Sequence, residues 1–168
     1  MIRLKDLGPG DRVRLAELAD NIKIWQMVRD YFPHPYSVKD AETFINMVSL
    51  ENPRQNFGIE YQGELCGVIG LVLQEDVYKR SAELGYWIGE KFWGKGIATK
   101  AVELILKYGF EELQLVRIYS GVFENNPASM KVLEKNGFQK EAIMRKAVFK
   151  NAVLMDEHRY SKLNDALL

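Results

Sequence analysis

The chain has 168 residues, 47% apolar and 27% charged, with Lys plus Arg and Asp plus Glu balanced at 23 each. That length fits one domain, residues 1–168, able to bury about 70% of its unfolded surface, and zero net charge predicts no strong pull toward nucleic acids or anionic membranes, leaving room only for a local basic patch. One cysteine, Cys66, excludes an internal disulfide, and no apolar run reaches the roughly 18 residues of a membrane span, so a soluble cytoplasmic protein is expected.

Residues 2–5 alternate apolar and charged side chains, as a short strand does. Leu15, Leu18, Ala19 and Ile22 then carry helical spacing, which continues through Ile24, Trp25, Met27 and Val28. Pro33 and Pro35 break that segment around His34. Ser37 is a good N-cap for a helix carrying Ala41, Phe44, Ile45 and Val48, which Pro53 closes. From Phe57 the period changes, and residues 57–61 and 65–73 read as a hairpin turning at 62–64. The second arm is apolar almost throughout, the pattern of a central strand buried on both faces. Residues 82–88 read as the next strand, and a helix opening near Gly94 carries Ile97, Ala101, Leu104, Ile105 and Tyr108 on one side. A strand at 116–122 follows. Asn126-Pro127 then supplies an N-cap and a proline at the first helical position, and Asn136-Gly137 stops that helix. Residues 138–149 and 153–160 close the chain as two strands. The order predicts a single α/β domain whose early sheet is antiparallel.

The segment Glu90-Lys-Phe-Trp-Gly-Lys-Gly-Ile-Ala-Thr-Lys100 places two glycines between a strand and an amphipathic helix. A helix start turns unpaired N–H groups and partial positive charge outward, and glycine lets an anion approach the backbone closely. The spacing from Gly89 to Lys95 matches a nucleotide-binding P-loop, but Gly96 stands where that loop needs a hydroxyl for Mg²⁺. Thr99 replaces the third glycine of a dinucleotide fingerprint. A bare capped turn, with glycines serving geometry alone, also fits the segment.

The wider set of motifs is more specific. Glu83-Leu-Gly-Tyr-Trp-Ile88, Trp93-Gly-Lys-Gly-Ile-Ala98, Asn126-Pro-Ala-Ser129 and Leu133-Glu-Lys-Asn-Gly-Phe138 follow in order. In that order and spacing the chain resembles the GNAT superfamily of acyl-CoA N-acetyltransferases, most closely its RimJ/RimL-type branch. The resemblance implies a mixed, strongly twisted sheet of about seven strands flanked by helices, with the fourth and fifth strands splayed. It implies acetyl-CoA as cosubstrate and no metal. Pantetheine would pair with the fourth strand at Tyr86, Trp87, Ile88 and Gly89. The diphosphate would rest on Gly94, Lys95, Gly96, Ile97, Ala98 and Thr99. Trp93 stands where much of the superfamily has Arg or Gln, a feature of this branch that leaves more of the phosphate contact to backbone and Lys95.

Acetyl transfer needs a neutral amine, a polarised carbonyl and a stabilised thiolate. Glu83 is the candidate base, on the analogy of acidic residues on the fourth strand of resembling enzymes; an ion pair with a nearby cation is the structural alternative. Strand alternation places Glu83, Gly85 and Trp87 on one face. The same resemblance implies Ser129 as the acid for the leaving thiolate and Asn126 as a residue that orients the cofactor, although Asn126 capping the Ser129 amide explains both residues structurally. Tyr86, Tyr119 and Tyr160 are further hydroxyls. Cys66, in an apolar strand, reads as a buried structural thiol, and His34 and His158 lack a ligand cluster around them. His34 and Tyr36 are placed at the acceptor entrance, with Trp25, Tyr31 and Phe32 as an aromatic wall or as packing. The acceptor is a protein or peptide N-terminus, or else a small amine such as a polyamine or amino sugar. A non-catalytic acyl-CoA-binding regulatory module is the reading from another class. The C-terminal strands offer an edge for a homodimer.

Overall fold

The computed structural model describes all 168 residues. Seven strands form one sheet in the order β1-β2-β3-β4-β5-β7-β6. They are β1 (Ile2–Lys5), β2 (Asn56–Tyr61), β3 (Glu64–Leu73), β4 (Ser81–Ile88), β5 (Arg117–Phe123), β6 (Gln139–Lys150) and β7 (Val153–Leu163). The sheet is mixed, as expected: β4 and β5 are its parallel pair, and the helix between them supplies the crossover that parallel neighbours require. The chain packs as two compact units, Met1–Gly70 with Tyr86–Ala101, and Leu71–Gly85 with Val102–Leu168. No helix is long and apolar enough to cross a membrane.

In the first unit β1 pairs antiparallel with β2, and β2 with β3. Gln62 and Gly63 turn that hairpin with φ of 52° and 82°, the left-handed pair that a two-residue hairpin loop demands. Helix α1 (Arg12–Ala19) packs against α3 (Val38–Ser49). The helical spacing read from Leu15 to Val28 is not one helix. Asn21 breaks it, because its side chain accepts the Lys23 N–H at 2.8 Å and so caps a separate short helix, α2 (Ile22–Trp25). Ser37 caps α3 reciprocally: its hydroxyl accepts the Asp40 N–H at 3.1 Å, and Asp40 accepts the Ser37 N–H at 2.7 Å. Ala41, Ile45 and Val48 make the buried stripe of α3.

In the second unit β5 pairs antiparallel with β7, and β7 with β6 across two register shifts. Helix α4 (Ile97–Lys107) runs on into a wider turn, Tyr108–Glu112, where Gly109 lies against Ile118, Leu71 and Leu115. Helix α5 (Pro127–Lys135) sits over β7, with Glu134 accepting the Tyr160 hydroxyl at 3.0 Å. Both contacts fall on the sheet face that carries Ile118, Ser120, Val122 and Tyr160, all buried. The opposite face of the same strands carries Arg117, Tyr119, Gly121 and Arg159, which are only partly covered.

Candidate active site

The glycine segment folds as an outward-turned helix start. Gly94 and Gly96 both hold φ of 73°, in the left-handed region, and a Cβ at either would meet no atom within 4 Å. The first intrahelical bond runs from the Lys100 N–H to the Gly96 carbonyl at 3.2 Å. The amides ahead of it therefore lie at the helix start, where an anion is favoured. Lys95 is exposed, its ammonium 5.6 Å from the Phe92 ring centroid. The Trp93 indole N–H donates to the Ile88 carbonyl at 2.7 Å, so Trp93 closes the end of β4.

The ladder between β4 and β5 has three residue pairs: Ser81 with Arg117, Ala82 with Ile118, and Glu83 with Tyr119. Past Glu83 the strands part. The Gly89 N–H goes to the Cys66 carbonyl of β3 at 2.8 Å, so alternation turns the backbone of Leu84, Tyr86 and Ile88 to the other edge. Leu84 on that edge accepts the Ser120 hydroxyl at 2.9 Å. Burial alternates in step: Ala82 and Leu84 are buried, while Glu83 is half-buried and Gly85 exposed. Glu83 thus stands beside Tyr119 at the last pair of the ladder. Two guanidiniums lie near the Tyr119 ring, their carbons 5.5 Å (Arg117) and 5.4 Å (Arg159) from its centroid. Arg117 pairs with Glu141, and Arg159 donates to Glu157 at 2.7 Å.

Residues 2–139 match the acetyltransferase (GNAT) domain family. The chain belongs to the GNAT acetyltransferases. It is therefore an acetyl-CoA-dependent N-acetyltransferase acting on an amine acceptor, and the RimJ/RimL-like resemblance is borne out. It is 34% identical over 169 residues to "Putative ribosomal N-acetyltransferase YdaF" of Bacillus subtilis (strain 168), covering 96% of this chain and 91% of that one. A spermidine N-acetyltransferase from Vibrio cholerae, solved with CoA and spermine, is 29% identical, with a TM-score of 0.82 over 96% of this chain and 95% of that one. RimL, the ribosomal L7/L12 α-N-protein acetyltransferase solved with coenzyme A, shares the fold at a TM-score of 0.87 and 24% identity, over 98% of this chain and 95% of that one.

Within this GNAT acetyltransferase, the other sequence candidates separate by unit. In the first unit Trp87 packs edge-on against Phe32, with centroids 5.7 Å apart, and Phe32 lies 5.1 Å from Tyr36. Tyr36 is buried, its N–H donates to Asp20 at 3.0 Å, and burial pushes its hydroxyl pKa up to about 12. His34 lies 5.6 Å from Trp25 and keeps Nδ1 3.9 Å from Asp20. Cys66 is fully buried, its thiol donates to the Ile59 carbonyl at 3.2 Å, and burial pushes it up to about 11. In the second unit Asn126 accepts the Ser129 N–H at 3.2 Å, leaving the half-buried Ser129 hydroxyl on the first turn of α5. Tyr160 is fully buried and spends its hydroxyl on Glu134, so among the tyrosines it belongs to packing. No group of three or more His, Cys, Asp or Glu is placed to hold a metal ion.

Sequence reasoning missed three residues of this partly covered face: Arg117 and Arg159, which are half-buried, and Glu157, which is buried. The signal was present, since Glu157 and Arg159 stand two apart on a strand and so share a face. Their meeting with Tyr119 and Gly121 depends on register across β5 and β7, which no local pattern encodes.

Proposed function

We propose that this acetyltransferase transfers acetyl from acetyl-CoA to the α-amine of a protein or peptide N-terminus. The observation that carries the choice of acceptor is the charge on the face beside Glu83. Three carboxylates (Glu83, Glu141, Glu157) stand against two guanidiniums (Arg117, Arg159), leaving one net negative charge. That suits a single ammonium better than a polyamine, which brings a positive charge at every nitrogen. The guanidiniums also match the carbonyl oxygens of a peptide. Protonation favours the same acceptor: near pH 7 about a tenth of an α-amine is neutral, against roughly one part in 2,500 of a lysine.

In the first unit, the backbone of Tyr86 to Gly89 pairs with the pantetheine arm, and the amides of Gly94 to Thr99, with Lys95, hold the diphosphate. A helix start flanked by two left-handed, uncrowded glycines fits a phosphate without help from an arginine cluster. In the second unit Glu83 accepts the amine's proton, directly or through water, and Ser129 protonates the departing thiolate. Asn126 fixes the turn that carries Ser129. The reading includes a homodimer through the outer strand β6, where Ile143, Met144 and Phe149 are exposed; a monomeric mass by light scattering refutes that part alone.

The second reading is a small polyamine acceptor, favoured by the 29% identity to the spermidine enzyme. A thiol-release assay with free-N-terminus peptides, spermidine and aminoglycosides separates them. Turnover of peptides above the small amines supports the proposal; preference for spermidine refutes it.

A further inference from the structure

Glu157 is the one carboxylate of the chain that is buried, at 9% exposure. A buried charge needs partners for its oxygens, or it costs the fold several kcal/mol. Arg159 donates one hydrogen bond, at 2.7 Å, to Oε2. Oε1 has no such bond, and it is not one of the chain's enclosed, unpartnered side-chain atoms. That oxygen lies over Gly121, where a Cβ would strike it before any other atom. Glycine at 121 is thus the condition for the carboxylate to rest on the β5 backbone.

The position of Gly121 gives this arrangement its meaning. It is two residues past Tyr119, the last β5 residue laddered to β4, and so lies where the two strands have parted. Gly121, Tyr119 and Glu83 share the face opposite α5 and the turn after α4. Oε1, over Gly121, therefore stands two residues along β5 from Tyr119, the ladder partner of Glu83.

We propose that Glu157 is a second acceptor-binding carboxylate, whose Oε1 takes a hydrogen bond from the incoming ammonium while Glu83 removes its proton. The proposal rests on the acetyltransferase reading of the site and adds a residue to it. The ammonium has three protons to place. One passes to Glu83 and on to solvent, freeing the lone pair that attacks the thioester carbon. The C–N bond forms and the C–S bond breaks, with the electron pair leaving on sulfur. The second proton leaves nitrogen as the thiolate is protonated through Ser129, and the third stays on the amide. Arg159 pins Glu157 by Oε2, so that Oε1 is the oxygen offered.

The test uses full-length Glu157→Gln, Glu157→Asp and Arg159→Met with whichever amine the wild type acetylates. Glu157→Gln should raise the acceptor KM by at least about tenfold, as loss of one charge-assisted hydrogen bond does, with acetyl-CoA affinity within about twofold. Glu157→Asp should recover part of the loss. Arg159→Met breaks the same ion pair yet keeps the carboxylate, so it should lose less. If Glu157→Gln does not fold, Gly121→Ala displaces Oε1 with the charge retained and should raise the same KM. An acceptor KM changed by less than tenfold overturns the proposal, as does an equal loss in Arg159→Met, which would reduce Glu157 to an ion-pair partner. A wild type that acetylates no amine refutes the acetyltransferase reading itself, a different result.

Discussion

Replacing Gly96 by alanine separates backbone geometry from steric exclusion at the proposed diphosphate cradle. Gly96 holds φ of 73°, and an added methyl group would find nothing within 4 Å. Alanine is therefore disfavoured by conformation alone, at roughly 1–2 kcal/mol for an L-residue in the left-handed region. The turn is exposed, so the free protein can relax away from that strain and keep most of its stability. Binding a diphosphate requires the left-handed geometry again, and the cost then falls on affinity. Acetyl-CoA should bind about 5- to 30-fold more weakly, measured by titration calorimetry. A thermal shift offers a second view. At a hundred times the wild-type Kd, ligand stabilises the wild type by about 2.7 kcal/mol, whereas a tenfold weaker variant keeps about 1.4. With roughly 2–4 °C per kcal/mol for a chain of this size, the ligand-induced rise in Tm should be about halved. Gly10→Ala is the control, since its Cβ is equally uncrowded and its φ is not left-handed. Affinity within twofold of wild type in Gly96→Ala, or the same loss in Gly10→Ala, refutes the cradle.

Glu83→Gln should lower kcat/KM by about a hundredfold or more, leaving acetyl-CoA binding intact; a kcat/KM within about threefold of wild type would exclude Glu83 as base. Tyr160→Phe removes the bond to Glu134 and should lower stability by about 1–2 kcal/mol without changing turnover per folded molecule. Burial, and then Glu134, raise the Tyr160 hydroxyl to about 12, so its contribution to stability is complete below the unfolded value near 10 and disappears as pH climbs through about 12. The phenylalanine variant should lack that alkaline loss in a pH series of melts, and a fall in its turnover would return the hydroxyl to the chemistry. Cys66, raised to about 11 by burial, should resist iodoacetamide at pH 8, where about one thiol in a thousand is ionised, and Cys66→Ala should keep wild-type kcat. Fast labelling of the native protein would contradict its burial.

Much of this molecule was legible because its cues are short-range. The Ser37 cap, the Asn126-Pro127 start of α5, the Gly137 stop and the turn at Gln62-Gly63 each depend on residues within about four positions, and each forms where it was read. Strand and helix periods fared equally well, since burial follows alternation in β4 and β5. Asn21 was the local exception: its side chain competes for a backbone amide and divides an otherwise continuous apolar period.

From the ordered motifs, and the family resemblance they carry, the chain's membership, its mixed sheet and its acyl donor could be argued before any coordinates. Those properties live in nearby residues and in a recurring pattern of elements. The alignment of strands that are distant in sequence could not. That Glu83 faces Tyr119, that the β4–β5 ladder stops after three pairs, and that Glu157 lies over Gly121 follow from the register of β4 on β5 and of β7 on β5. A one-residue slip in either pairing would turn the same side chains to the other face, and only packing of the whole sheet prevents it.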